Sequence, residues 1–284
     1  MLSIADSSRR WFRPSEKRPV ERHMNSMASQ ARRLLGQNAY SQEEVERLVR
    51  LICLFAELPD PPDPFGLYPQ YAELKDRFLA SIQGPDGEAI EEAFLLLYAQ
   101  IHGYEVPYTP DERSRVAEAG GYLSHVGGLS PILKAAPFIG ADTVSGDFGA
   151  GNGLQGLLIQ KLTPHAKTVQ IEISSRMVEA GRLLQAWLAI PEERVDWVVA
   201  DVSDVSPTGM DFIYLYRPLR PTGPGEEFYR CFAGQLGESR KPVVIFSIAD
   251  CLRSYLSSDF EIFYSDGHLT CFRRSEVPAR SSAA

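Results

Sequence analysis

The stretch Asp147-Phe148-Gly149-Ala150-Gly151-Asn152-Gly153 decides the fold. It lies between a short β-like run, Asp142 to Ser145, and an apolar helical pattern. Glycines at alternate positions let a backbone turn tightly out of a strand and leave room for a ligand that any Cβ would displace. In the following segment Leu154, Leu157, Leu158 and Leu162 recur on one helical face. That spacing packs the helix onto a sheet and points its N-terminus at the loop.

The glycines leave the ligand open, because Gly151, Gly153 and Gly156 also satisfy the dinucleotide pattern G-x-G-x-x-G, which alone has little specificity. Asp147 changes the balance. Dinucleotide loops are preceded by apolar strand residues, whereas here a carboxylate ends the strand two residues before Gly149, a placement that suits a cationic ligand better than a pyrophosphate. Glu172 closes the next strand-like run, Thr168 to Ile171, where it can accept hydrogen bonds from both hydroxyls of a ribose. Standing at a ligand crevice, it is expected outside the core; the structural alternative is a cap on the amides of Ser174 and Ser175. Asp201 closes a third run, Val195 to Ala200.

With these residues in place the chain resembles the class I S-adenosylmethionine-dependent methyltransferases over about half its length, Leu129 to Arg274. Asp147 to Gly153 is similar to that superfamily's first motif, acid-x-G-x-G-x-G, Glu172 to its ribose-binding acid and Asp201 to its adenine-side acid. The resemblance implies S-adenosyl-L-methionine as cofactor. Asp147, Gly149, Gly151 and Gly153 would line its methionine part, Glu172 would hold the ribose, Asp201 would face the adenine amino group, and Ile173 and Val202 would sandwich the adenine. It also implies a Rossmann-like α/β fold: a mostly parallel sheet with helices on both faces and a C-terminal antiparallel β-hairpin.

The whole chain of 284 residues is 44% hydrophobic with a formal net charge of −8, a soluble globular composition that disfavours bulk nucleic acid as partner. Cys53, Cys231, Cys251 and Cys271 form no C-x-x-C, and the histidines have no metal-ligand spacing, so the expectation is reduced thiols, a cytoplasmic location and no metal. No run reaches the ~18 apolar residues of a membrane span, and the first forty carry no signal-like segment. Residues 1–40, rich in arginine, read as a flexible basic arm, and residues 276–284 as a disordered tail.

Order is expected from Ser41, which forms a capping box with Glu44 before a helical run to Leu58. Prolines 59, 61, 62 and 64 then force an extended loop, and Tyr71 to Ile82 and Glu88 to His102 complete a helical N-terminal region, residues 41–105. Its apolar faces need the cofactor domain, residues 129–275, as partner. Between them residues 106–128 read as a linker or lid, since Gly120-Gly121 and Gly127-Gly128 bracket Tyr122 to Val126. Tyr122 would then reach the cofactor, and His125 is the candidate general base.

From Ser130, read as an N-cap before Pro131, strand and helix alternate, as in a parallel sheet covered on both faces. The helix Ser175 to Trp187 and strands at Val195 to Ala200, Asp211 to Tyr216 and Val243 to Ile248 continue the series. Phe260 to Tyr264 and Leu269 to Arg273 form the terminal hairpin, for which Asp266-Gly267 predicts a type I′ turn.

Methyl transfer needs alignment more than a base. The fourth strand supplies Tyr214-Leu215-Tyr216-Arg217-Pro218 where this superfamily places acceptor contacts. Tyr216-Arg217-Pro218-Leu219 departs from the Asn-Pro-Pro-Tyr of many methyltransferases acting on planar nitrogens, which counts against a nucleobase or glutamine acceptor; a loose likeness to class I lysine methyltransferases slightly favours a protein lysine. Tyr216 is a candidate to orient the acceptor and Arg217 to bind an anionic group; the structural alternative buries one tyrosine and exposes the other. His23, His102, His165 and His268 are expected on the surface or at helix ends. The acceptor, a small molecule or protein side chain, is left open. Two other classes stay open as well: an NAD(P)-dependent oxidoreductase on Gly151, Gly153, Gly156 and Glu172, and a non-catalytic cofactor-binding scaffold.

Overall fold

The computed structural model of the chain describes residues 40–102, 108–122, 128–239, 241–249 and 251–274. The basic arm, the tail, His23 and His125 therefore lie outside the described residues. Helix α1 (Gln42–Glu57) begins with the predicted capping box, Glu44 N donating to Ser41 Oγ and Ser41 N to the Glu44 carboxylate, 3.0 Å. Its inward stripe, Leu48, Leu51, Ile52 and Phe55, is wholly buried. Lys75, on α2 (Tyr71–Ile82), donates to the carbonyls of Phe55 and Leu58 and so satisfies the C-terminus of α1. Next come α3 (Gly87–His102) and α4 (Pro110–Glu118). The segment read as linker or lid thus contains a helix, started by a second capping box between Thr109 and Glu112 with proline at its first turn.

Helix α5 (Ser130–Ala135) starts one residue before the predicted position, with Leu129 as N-cap and no side-chain cap. Strand β1 (Val144–Phe148) differs more: Asp142 and Thr143 precede it, and Asp147 is a paired residue within it. The series continues with α6 (Leu154–Leu162), β2 (Lys167–Glu172), α7 (Ser175–Trp187), β3 (Val195–Val199), β4 (Phe212–Leu215), α8 (Pro224–Ser239), β5 (Val243–Ile248), β6 (Glu261–Ser265) and β7 (Leu269–Arg274). The sheet order is β3-β2-β1-β4-β5-β7-β6. The first five strands are parallel, and β7 runs antiparallel to both β5 and β6. This is the mostly parallel α/β sheet with a reversed hairpin strand that the resemblance implies.

Alternation along β4 shows how the layers form. Phe212 and Tyr214 join one core with α1, α2, α3, α6 and α7, whereas Ile213 and Leu215 face a second core built on α8. The N-terminal helices therefore find their expected partner in the sheet. The hairpin turn is not type I′: Gly267 has φ 88° but Asp266 has no positive φ, and its carboxylate accepts from the amides of His268 and Leu269 at 2.9 and 2.8 Å. The aspartate closes the turn with its side chain, which leaves Gly267 and His268 as the central pair.

His165 is a core residue, contrary to its expected surface position. Its Nδ1 lies 2.7 Å from the Thr163 carbonyl, which makes it the donor, so Nε2 is the acceptor for the hydroxyl pair Ser145 Oγ (2.8 Å) and Thr168 Oγ1 (3.0 Å), themselves 3.1 Å apart. A neutral ring thereby joins the start of β1 to β2. Burial depresses its pKa below the ordinary 6.5, so the folded state resists a proton that the unfolded chain takes up, and this contribution is lost as pH falls below about 6.5. His165→Gln is expected to cost about 1–3 kcal/mol at pH 7. In urea melts the gap between wild type and variant should shrink toward pH 5; a constant gap would mean that the ring's protonation is not linked to folding.

Candidate active site

The order of strands reverses between β1 and β4, and the loops that leave their carboxyl ends diverge there, as open α/β sheets require for a ligand crevice. The crevice is a cavity with about 990 Å³ of empty space including its mouth. Its floor is the glycine loop. Gly149 N and Ala150 N both donate to the Ile171 carbonyl (3.0 and 2.9 Å), folding the chain back over the end of β2. Gly149, Gly151 and Gly153 all have positive φ, between 60° and 79°. Gly149 and Gly151 line the cavity; Gly153 does not, and serves as the left-handed N-cap of α6. A Cβ there would stand 2.5 Å from the Trp197 ring, so this glycine permits close packing beneath the loop.

Asp147 is 3% exposed, in register with Gln170 and Tyr214 on the flanking strands, and its Oδ2 is buried without a hydrogen-bond partner. Burial raises its pKa to about 7, against the pull of a hydrogen bond from the Gly156 backbone and with a small push from Glu172. Glu172 is also 3% exposed, so its expected place outside the core is corrected. One carboxylate oxygen accepts from Gly151 N (2.9 Å), the other from Ser174 N (3.0 Å) and, more weakly, Tyr108 Oη (3.4 Å). Ser175 N turns instead to Glu112 at 3.3 Å. Burial raises the Glu172 pKa and these hydrogen bonds oppose the rise. Ile173, Asp201 and Val202 line the same wall, with the Asp201 carboxylate accepting from Ser203 N at 2.8 Å.

Across the mouth lies residues 108–122, pinned at both ends. Tyr108 and Glu112 hold the β2 side, while an antiparallel bridge between Gly121 and Leu219 and a 2.8 Å bond from Arg220 N to the Gly120 carbonyl hold the β4 side. Tyr122 lies against the guanidinium groups of Arg217 and Arg220, 5.2 and 5.1 Å from its ring centroid. Tyr214 and Tyr216, being two apart, share a face and both line the cavity, so neither is set aside as a purely structural or exposed side chain.

Every candidate residue among those described thus meets in one cavity except Gly153. Sequence reasoning missed three contributors. His102, expected at a helix end, does end α3, yet it lines the cavity with a buried, unpartnered Nε2, and burial lowers its pKa to about 4. Asn152 donates to the Ile101 carbonyl at 2.6 Å and to Tyr68 Oη at 3.3 Å, joining the glycine loop to α3. Tyr108 was readable in principle, because the Thr109-Pro110-Asp111-Glu112 cap fixes where the ordered strap begins.

The sequence matches no protein-family model and no curated protein. Similar solved structures include an RNA methyltransferase from Salinibacter ruber in complex with S-adenosyl-L-homocysteine, at 18% identity over 53% of this chain and 93% of that one, TM-score 0.39. A methyltransferase from Geobacter sulfurreducens is 14% identical over 60% and 92%, TM-score 0.38. An rRNA methylase from Streptococcus thermophilus is 9% identical over 53% and 97%, TM-score 0.38.

Because the Glu172 carboxylate is the acceptor for two loop amides, Glu172→Ala is expected to lower the stability of the ligand-free protein by about 2 kcal/mol or more. Urea unfolding without ligand measures this; an unchanged midpoint would show that other groups satisfy those amides.

Proposed function

We propose that this chain is an S-adenosylmethionine-dependent methyltransferase. The observation that carries the reading is the orphaned Asp147 Oδ2, buried beside a glycine loop whose next strand ends in Glu172. The residues fit the cofactor. A cation such as the methionine ammonium supplies the partner that Asp147 lacks, and the open side of Gly151, whose added Cβ would meet nothing nearer than Met177 at 3.8 Å, leaves room along the loop. Glu172 retains lone pairs for the ribose hydroxyls after accepting its amides. Asp201 would face the adenine edge, and Ile173 and Val202, on the same wall, would hold its faces. S-adenosylmethionine, when bound, supplies the activated methyl group. The chain's part is to orient the acceptor for in-line attack and to exclude water, tasks that Tyr214, Tyr216 and the 108–122 strap perform at the cavity's far side.

Isothermal titration with S-adenosylhomocysteine tests the proposal. Binding is expected, and no heat at millimolar ligand with folded protein would overturn it in favour of a fold that has lost its cofactor. The pH dependence is a sharper check. In the empty site Asp147 holds its proton up to about pH 7, and only the carboxylate pairs with the ammonium, so affinity should rise with pH to about 7, by up to about tenfold per unit, and then level off. Asp147→Asn should bind weakly with a flat profile. A steep profile in that variant would place the titrating group elsewhere.

A further inference from the structure

Arg217 is the only lysine or arginine among the described residues lining the cavity; the carboxyl groups there are those of Asp147, Glu172 and Asp201. Its backbone has φ 42°, a left-handed conformation that non-glycine residues adopt at a cost of about 1–3 kcal/mol. The following Pro218 further restricts it. Its Nε is buried without a hydrogen-bond partner, although the guanidinium is steadied against the Tyr122 ring. A strained backbone that brings a guanidinium with an unpaired Nε to a cavity wall points to an anion that arrives with a ligand. Nearby, Tyr214 Oη and His102 Nε2 are also buried and unpartnered. Tyr122, Tyr216, Pro218 and Leu219 add flat apolar walls.

We propose that Arg217 holds the carboxylate of a small aromatic acid that is the methyl acceptor, with Tyr214 and His102 hydrogen-bonding its nucleophilic end. This rests on the methyltransferase reading of the same cavity. A lysine side chain would bring a second cation to Arg217, and an uncharged nucleobase would leave its charge without a counter-ion. The planar walls fit an aromatic ring, and the strap across the mouth favours a small molecule over a polymer.

The cofactor has a carboxylate of its own, so the test separates the two sources. S-adenosylhomocysteine is titrated into the full chain and into Arg217→Gln; then 4-hydroxybenzoate and the neutral 4-hydroxybenzyl alcohol are titrated into each complex. S-adenosylhomocysteine affinity is expected to change little, the acid to bind the wild-type complex at least about tenfold more tightly than the alcohol, and the variant to erase that preference. Arg217→Lys should retain the preference at reduced affinity, having the charge without the fork. A fall of about tenfold or more in S-adenosylhomocysteine affinity would assign Arg217 to the cofactor and overturn the proposal. Equal binding of acid and alcohol, or no binding of the acid, would also overturn it. If wild type binds no S-adenosylhomocysteine, the methyltransferase reading fails first and this proposal with it.

Discussion

Gly149 N and Ala150 N donate to one carbonyl, that of Ile171, and Gly151 N donates to the Glu172 carboxylate. The chain leaving β1 is thereby attached to the last two residues of β2, and three amides that a tight loop would leave without an intrachain partner all have acceptors. The rest of the site depends on this attachment. It fixes where α6 begins, hence how α6 lies on the sheet, and it leaves the cavity floor free of side chains at Gly149 and Gly151. Gly156, one turn into α6, meets Gln170 so closely that a Cβ would stand 2.3 Å from its Nε2, so the helix rests directly on β2.

The same attachment brings two buried carboxyl groups together. Asp147 and Glu172 sit at adjacent strand ends, each 3% exposed, and burial raises the pKa of both. Their environments differ in a useful way. Glu172 has amide donors on both oxygens, whereas Asp147 keeps one oxygen bare. A buried carboxylate oxygen with no donor is expensive in the empty protein, and the expense is removed by whatever cation enters. Binding energy for a positively charged ligand is therefore stored in the fold.

Much of this was legible in the sequence. The Ser41–Glu44 box, the bounds of α2, α7 and β5, and the convergence of Asp147, Glu172 and Asp201 follow from local pattern and from the rule that ligands collect at strand ends. What was illegible depended on contacts distant in sequence or on side-chain bonds that a residue pattern does not display. Strand β1 contains Gly146 and Asp147, both poor strand formers, yet Gly146 belongs there because a Cβ would stand 2.1 Å from Met210 Sδ. Asp266 carries a turn signal that it satisfies with its side chain in place of its backbone. His165 and Gln170 are polar residues whose partners come from loops and helices that local pattern does not bring together.

His102 shows that the N-terminal helices reach the cavity as well as the core. The Ile101 carbonyl, in the last turn of α3, would be an orphan in the helix, and Asn152 of the glycine loop donates to it. The residue that ends α3 is thus held in place by the loop that floors the cavity, and Tyr98, a turn earlier, is held by Gln155. The His102 ring packs edge-on against Tyr98 with centroids 4.7 Å apart. Asn152 of the glycine loop and Gln155 in the first turn of α6 therefore set the position of an imidazole some fifty residues upstream. Any shift of the glycine loop on ligand binding must move α3 or break these bonds, so the helical layer and the loop respond as one unit.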